Sequence, residues 1–358
     1  MRLMALIIAA IIGIPVVTAC QSTALPPIPQ TTADSASKRH TQRVGIIFEG
    51  GDVEENPLYR LALEGADNAA TTFSVEVTPL EILNQADVMM EIEGFAGQDY
   101  DLLIGMGTQR LHQAISSTAR ANPDQLFVAV EQSVDEPNVL SIQFDMAQPS
   151  FLAGYLAAGI SATGMVCTYG SQDVEDAIDY MKGFANGVRY YNMQHGADVA
   201  LLGWDHDTQV GALGDSFQPS GDERQLITDY FNAGCDVLFP VTHTINLGLA
   251  SMAQDYELAV IGTDVDWFVV APEFGEIWLT SVQKNIDQAM FDTIEALTQE
   301  TLIAGENYTG TPANGGAGLA SFHFWDDKIP NTLKTELLEI NQALIEERLD
   351  SIITDSFD

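Results

Sequence analysis

From residue 43 onward, short uninterrupted apolar runs alternate with longer stretches whose apolar positions recur every three to four residues. Arg43-Val44-Gly45-Ile46-Ile47-Phe48, ending at Gly50-Gly51, reads as a strand buried on both faces followed by its turn. Leu58, Leu61, Ala62, Ala66 and Ala69 fall on one helical face and predict a helix over 58–72. The pattern continues with strands at 74–78, 102–105, 126–130 and 139–144, and with helices at 85–94 and 109–121. It then restarts. Strands are predicted at 165–169, 198–202, 236–239, 258–262 and 277–281, and helices at 151–160, 177–193, 222–233, 245–254, 286–303 and 332–352.

Repeated strand-helix units with short connections imply parallel sheets covered by helices on both faces, an α/β doubly wound architecture. Two such runs in tandem, over a length that exceeds one ordinary domain, predict two lobes. The expected division puts residues 43–147 plus about 265–305 in lobe 1 and 148–264 plus about 306–330 in lobe 2, with 331–358 as a closing helix. Open α/β sheets bind ligands beyond the carboxyl ends of their strands, so two facing lobes place those ends along one cleft. Hinge closure on a solute suits that geometry.

The first residues follow a different pattern. Arg2 supplies a positive start, Leu3 to Val17 are apolar without a charge, and Val17-Thr18-Ala19-Cys20 follows. That layout predicts a signal peptide over 1–19, too short and wrongly flanked for a membrane-spanning helix. A small-residue triplet ending in Cys resembles a lipobox, which marks Cys20 as the lipidation site. The expected location is therefore outside the cytoplasm, held to the cell membrane by acyl chains alone. Residues 21–42, rich in Ser, Thr, Pro and Gln, bury too little apolar surface to order themselves and read as a tether.

Charge narrows the list of partners. A formal net charge of −37 excludes nucleic acid and anionic membrane surfaces. The acids are scattered rather than clustered, which fits a surface kept hydrated in salt better than a cation site. Cys167 and Cys235 lie in apolar strand-like runs and read first as buried free thiols, although an exported protein permits a disulfide.

Several ordered segments carry a family resemblance. They include Gly50-Gly51 with Asp52, Glu54 and Glu55, then Leu63-Glu64-Gly65. The stretch from Asn138 to Phe144 followed by Ser150 to Ala158 is the most specific of them. Gly183-Phe184-Ala185-Asn186-Gly187, Gly234 to Phe239, Ile261 to Asp266, Thr280 to Lys284 and Gly315 to Ala320 follow in order. Over about residues 43–325 the chain resembles the basic membrane protein family of ABC-transporter substrate-binding lipoproteins, whose characterised members bind purine nucleosides. The resemblance implies a two-lobed periplasmic-binding-protein fold of type I, an ABC permease as partner, no cofactor and no catalysis. It places Asp264 on the ligand's sugar, Lys284 in the pocket and Phe217 stacked on the base. A carboxylate accepting two hydroxyl protons suits a ribose diol.

Three departures from the family pattern bear on the ligand. Leu58 stands where the family has its first stacking ring, with Tyr59 one residue later. Glu131 replaces an aspartate after the fourth strand. Pro240 to Asn246, with His243, replaces a small glycine-rich run. A nucleoside stays the first expectation, with another polyhydroxylated solute such as a sugar as the alternative, or an anchored sensor or adhesin.

Other chemistry is not signalled. Asp205-His206-Asp207 offers adjacent residues without converging partners, so no metal is expected. No nucleophile elbow, phosphate loop or dinucleotide fingerprint appears in a strand-turn-helix context.

Overall fold

The computed structural model describes residues 41–50, 53–84, 86–171, 177–214, 221–242, 247–349 and 352. Cys20, Phe217 and His243, with Gly51 and Asp52 of the first-loop motif, lie outside the described residues.

The first run of elements is β1 (Arg43–Glu49), α1 (Pro57–Phe73), β2 (Glu76–Ile82), α2 (Val88–Ala96), β3 (Leu102–Met106), α3 (Gln109–Ala121), β4 (Leu126–Val130) and β5 (Val139–Phe144). The second continues with α4 (Ala147–Ile160), β6 (Met165–Ser171), α5 (Ala177–His195) and the short strands β7 (Ala200–Leu202), β8 (Trp204–Asp205), β9 (Val210–Gly211) and β10 (Leu213–Gly214). Then come α6 (Gly221–Asn232), β11 (Val237–Val241), α7 (Leu247–Asp255), β12 (Ala259–Asp264), α8 (Trp267–Val270) and β13 (Trp278–Lys284). The chain closes with α9 (Ile286–Thr298), β14 (Asn307–Gly310), β15 (Ala317–Leu319) and α10 (Asn331–Ile345).

Local chemistry sets the element ends. Asn56 caps α1 by accepting from the backbone N–H of Leu58 (3.0 Å) and Tyr59 (3.3 Å), and Pro57 at the first position needs no partner for a missing N–H. Thr108 caps α3 through its hydroxyl, which accepts from Arg110 N–H at 3.2 Å.

Two sheets result, as the strand-helix alternation requires. The first runs β14-β5-β4-β3-β1-β2 with every described pairing parallel. The second runs β10-β6-β11-β12-β13-β15, with β7 also on β6; there only β15 is antiparallel, paired to β13. The chain crosses between lobes after β5, after β13 and after β14. Pairing, not periodicity, fixes those crossings, and they correct the expected division. Strand β13 stays in the second sheet although residues 265–305 were expected in lobe 1; only α9 returns, packing on α1. Strand β14, expected in lobe 2, extends the edge of the first sheet beside β5. The α10 helix packs on α4.

Two glycines of the family-like segments serve helix packing. Helix α4 is buried from Pro149 to Ala158 and has no polar face, so it is enclosed by its neighbours. A Cβ on Gly154 would collide with the carbonyl oxygen of Phe184, and one on Gly187 with that of Phe151. Helices α4 and α5 therefore touch backbone to backbone, which only glycine permits. The thiols are not free: Cys167 on β6 and Cys235 before β11 form a disulfide, with Cα atoms 6.1 Å apart. The two run into neighbouring parallel strands, a proximity that sequence spacing does not reveal.

Candidate functional site

The carboxyl ends of both sheets carry acids. Glu49 ends β1, Glu131 follows β4, Asp145 follows β5 and Asp264 ends β12. Two of them stand in the left-handed backbone region, Glu131 with φ 75° and Asp264 with φ 69°. Non-glycine residues occupy that region at a cost, and such outliers gather at functional sites. Both point at one cation. Lys284, at the end of β13 and 5% exposed, donates to Glu131 and lies 3.1 Å from Asp264 Oδ1. Glu131 belongs to the first lobe, Asp264 and Lys284 to the second, so this ion cluster spans the cleft.

Asp264 is the more fixed acid. It is 6% exposed, and Tyr180 on α5 donates to its Oδ1 at 2.6 Å. Its Oδ2 has no protein partner among the described residues. Burial foremost, then Asp264, pushes the Tyr180 hydroxyl well above its ordinary proton affinity, so it stays a donor. Burial works against the charge on Lys284. Asp264 and then Glu131 outweigh it and hold the ammonium well above the usual lysine range. Lys284 is therefore charged but already neutralised by its two acids.

The first lobe adds Glu49 and Tyr59. Glu49 is 2% exposed; its Oε2 accepts from Thr108 N–H (2.8 Å) and Oγ1 (2.7 Å), while its buried Oε1 has no partner among the described residues. A buried carboxylate oxygen without a donor is costly. Tyr59 donates to the Glu49 carbonyl at 3.0 Å and packs its ring on Phe48 with centroids 5.0 Å apart. Burial, Glu131 and then Glu49 raise its hydroxyl above the ordinary tyrosine value. Leu58 lies in the core of the first lobe and lines neither cavity beside Lys284. Of the expected pocket residues, the structure thus gathers Asp264, Lys284 and Glu131, puts Tyr59 beside them, and turns Leu58 inward.

Two cavities flank Lys284. One of about 290 Å³ is lined by Glu131, Gln143, Phe144, Asp145, Met146, Asp179, Lys284 and Thr309. The other, of about 250 Å³, opens toward Arg60, Glu64, Asp266, Gln283, Asn285 and Asp287. The first lies just below the range for small-molecule sites, roughly 300–1,000 Å³. Tyr180, Glu49 and Asp179 were not singled out from the sequence. Glu49 had a usable signal, an acid closing a buried parallel strand, which it shares with Glu131 and Asp264. Tyr180 and Asp179 lie one turn before a glycine motif and had none. Among the described residues no group of acids, histidines and cysteines is arranged to hold a metal.

With this geometry in hand, likenesses to known proteins become interpretable. Residues 41–345 match the sequence model of the family described as ABC transporter substrate-binding protein PnrA-like. A protein of Listeria innocua named CD4+ T-cell-stimulating antigen is 25% identical over 72% of this chain and 74% of its own length. The ABC transporter nucleoside-binding protein BmpA of Lactococcus lactis is 20% identical over 75% of this chain and 72% of its own. In structure, an ABC transporter solute-binding protein from Aeropyrum pernix superposes with a TM-score of 0.71 at 19% identity, over 86% of this chain and 92% of that one. This last likeness shows the fold, a two-lobed type I arrangement. The family match covers most of the chain, so the chain belongs to the PnrA-like family of ABC-transporter substrate-binding proteins. Proteins of this family work outside the cytoplasm with a permease, and no described helix here is long and apolar enough to cross a membrane.

Proposed function

On the premise of that membership, we propose that the chain captures a nucleoside, a purine nucleoside first, between its lobes and delivers it intact to the permease. The carrying observation is Asp264. Its Oδ1 is held by Tyr180 and Lys284, while Oδ2 is left to accept from a ligand. A carboxylate so fixed is preorganised for a sugar diol, because its rotamer entropy is already spent. The orphan Glu49 Oε1 suits an N–H donor on the base. Tyr59 offers a ring near that carboxylate, one residue after Leu58. The nucleoside-binding name of the Lactococcus relative supports the same ligand class.

The anchor is proposed with it. Cys20 carries acyl chains, and residues 21–42 tether the lobes to the membrane. The disulfide supports export, since such bonds persist in oxidising compartments. On this reading the site binds its ligand and does not turn it over, since Asp264 is locked by Tyr180 and Lys284 rather than poised as an acid or a base.

Calorimetry of residues 41–358, a compact unit by itself, against a panel of nucleosides, free sugars and amino acids tests the ligand. Heat is expected for nucleosides, with intact nucleoside recovered after long incubation. Heat for a sugar and none for any nucleoside overturns the assignment; release of free base overturns the absence of chemistry. Radiolabelled palmitate incorporated into the wild-type chain but not into Cys20→Ser checks the anchor.

A further inference from the structure

The 290 Å³ cavity contains polar groups that the scheme above leaves unused. Gln143 and Thr309 are register partners on β5 and β14, so both side chains leave one face of the first sheet at the same level. Asp179, in the first turn of α5, approaches the same cavity from the second lobe. None of the three side chains has a hydrogen-bond or ion-pair partner among the described residues. Their neighbours differ. Asp145 is occupied, accepting from Ala147 N–H at 3.1 Å and from Gln148 Nε2 at 2.9 Å. Lys284 is occupied by Asp264 and Glu131.

The charge balance of the cavity follows. Lys284 is offset by its two acids, and Asp145 and Asp179 add negative charge, with no second cation among the described residues that line the cavity. A carboxylate only accepts hydrogen bonds. A ligand carbonyl or phosphate set against Asp179 would be repelled and left without a donor, whereas an amino group would satisfy it. Burial, and next the charge of Asp145, raises the proton affinity of Asp179 although Lys182 opposes the shift, which reports the same excess of negative charge.

We propose that Asp179, with Gln143 and Thr309 facing it, is a specificity subsite that selects ligands bearing an N–H₂ group and rejects amino-free and anionic ones. The inference rests on the nucleoside reading and sharpens it to amino-bearing nucleosides. Gln143 can donate to a ring nitrogen or accept from the amine, and Thr309 can do either, so the pair tolerates different bases while Asp179 demands a donor. Nucleotides are disfavoured by the excess of negative charge to which Asp179 and Asp145 contribute, so a phosphate-removing hydrolase must act before this protein can take up their nucleoside part.

Calorimetry at pH 7 decides it, using adenosine, guanosine and cytidine against inosine and uridine, with adenosine 5′-monophosphate as the anionic probe. Wild-type protein is expected to bind the amino-bearing set at least tenfold more tightly than the amino-free set, and the monophosphate at least a hundredfold more weakly than adenosine. In Asp179→Asn the preference is expected to shrink to threefold or less, through weaker binding of the amino-bearing set and tighter binding of the amino-free set, with monophosphate binding partly recovered. Asp179 lies at a helix start on the surface, so Asn is tolerated there, and an unchanged melting curve shows that the fold is intact. Equal affinities for adenosine and inosine in the wild type, or an equal loss for both in Asp179→Asn, overturn this subsite and leave nucleoside capture standing. Absence of binding to every nucleoside overturns both.

Discussion

The two lobes offer the cleft the same device, an acid at the end of a parallel strand with its backbone in the left-handed region, but they mount it differently. In the second lobe Asp264 is buried, bonded by Tyr180 and paired with Lys284 from the adjacent strand. In the first lobe the Glu131 side chain is 25% exposed, and its described ion-pair partner is a lysine across the cleft. One acid is held by its own lobe whatever the lobes do. The other is held only when they meet. A binding protein that must close on a solute and open again needs that asymmetry: an anchor that never moves and a contact that is made and broken. The lobes differ in covalent bracing too. The disulfide lies within the second lobe, and the chain has no cysteine between Gln21 and Val166.

The largest effect is expected from Lys284→Met, which removes the cation that both acids share. Breaking a buried ion pair by deleting one partner costs about 3–5 kcal/mol, and nucleoside binding should vanish in calorimetry. Adding Asp264→Asn should return part of the stability in denaturant unfolding, because the uncompensated buried charge is then gone. A Lys284→Met protein as stable as the wild type would break the comparison at its centre.

Loss of the disulfide comes next. Cys167→Ala/Cys235→Ala should cost about 2–4 kcal/mol, as is typical for loss of a disulfide, and hydrogen exchange should quicken in β6 and β11 more than in β1 and β3. Equal quickening in both lobes would show that they unfold as one unit.

Alkaline pH should also act on the second lobe. Burial raises the Tyr230 hydroxyl from 10.0 to about 12, and Tyr169 and Tyr180 are raised as well. A tyrosine whose folded value is raised contributes stability that is complete below its unfolded value and is lost as pH climbs past it. For Tyr230 that window runs from about pH 10 to about pH 12. Tyrosinate absorbance from these three residues should therefore appear together with loss of second-lobe structure.

The smallest effect should follow Glu131→Gln. Its partly solvated pair is worth about 1 kcal/mol or less. Stability should barely change, while small-angle scattering should show the lobes farther apart. A large stability loss would mean that Glu131 is as fixed as Asp264.

Much of this was legible in the chain itself. The apolar runs at Val44 to Phe48 and Leu102 to Gly105 read as strands of a parallel sheet, and the ordered glycine segments pointed to the family. Asp264, Lys284 and Glu131 were expected from the family resemblance, and the structure brings the three together. Tyr59 and Leu58 could be separated only by their side-chain directions. One turns to Phe48 and Glu49, the other into the core, and a single helical step decides between them. Periodicity also ran past the true ends of two helices: α9 stops at Thr298 and α10 at Ile345, short of the expected 303 and 352. Strands β14 and β15 were missed because each is short and carries glycine, and their stability comes from the edges they join.

The sequence by itself determined the two-lobed α/β class and a cleft at the strand ends. Those follow from alternation and apolar periodicity, local properties of the chain, while Asp264 and Glu131 were expected only through the family resemblance. Tertiary structure alone decided that Cys167 meets Cys235, that β13 remains with the second sheet while β14 joins the first, and that one lysine answers two acids from opposite lobes. These are contacts between segments far apart in the chain. Their partners are selected by packing and charge compensation in space, and no local pattern encodes that choice.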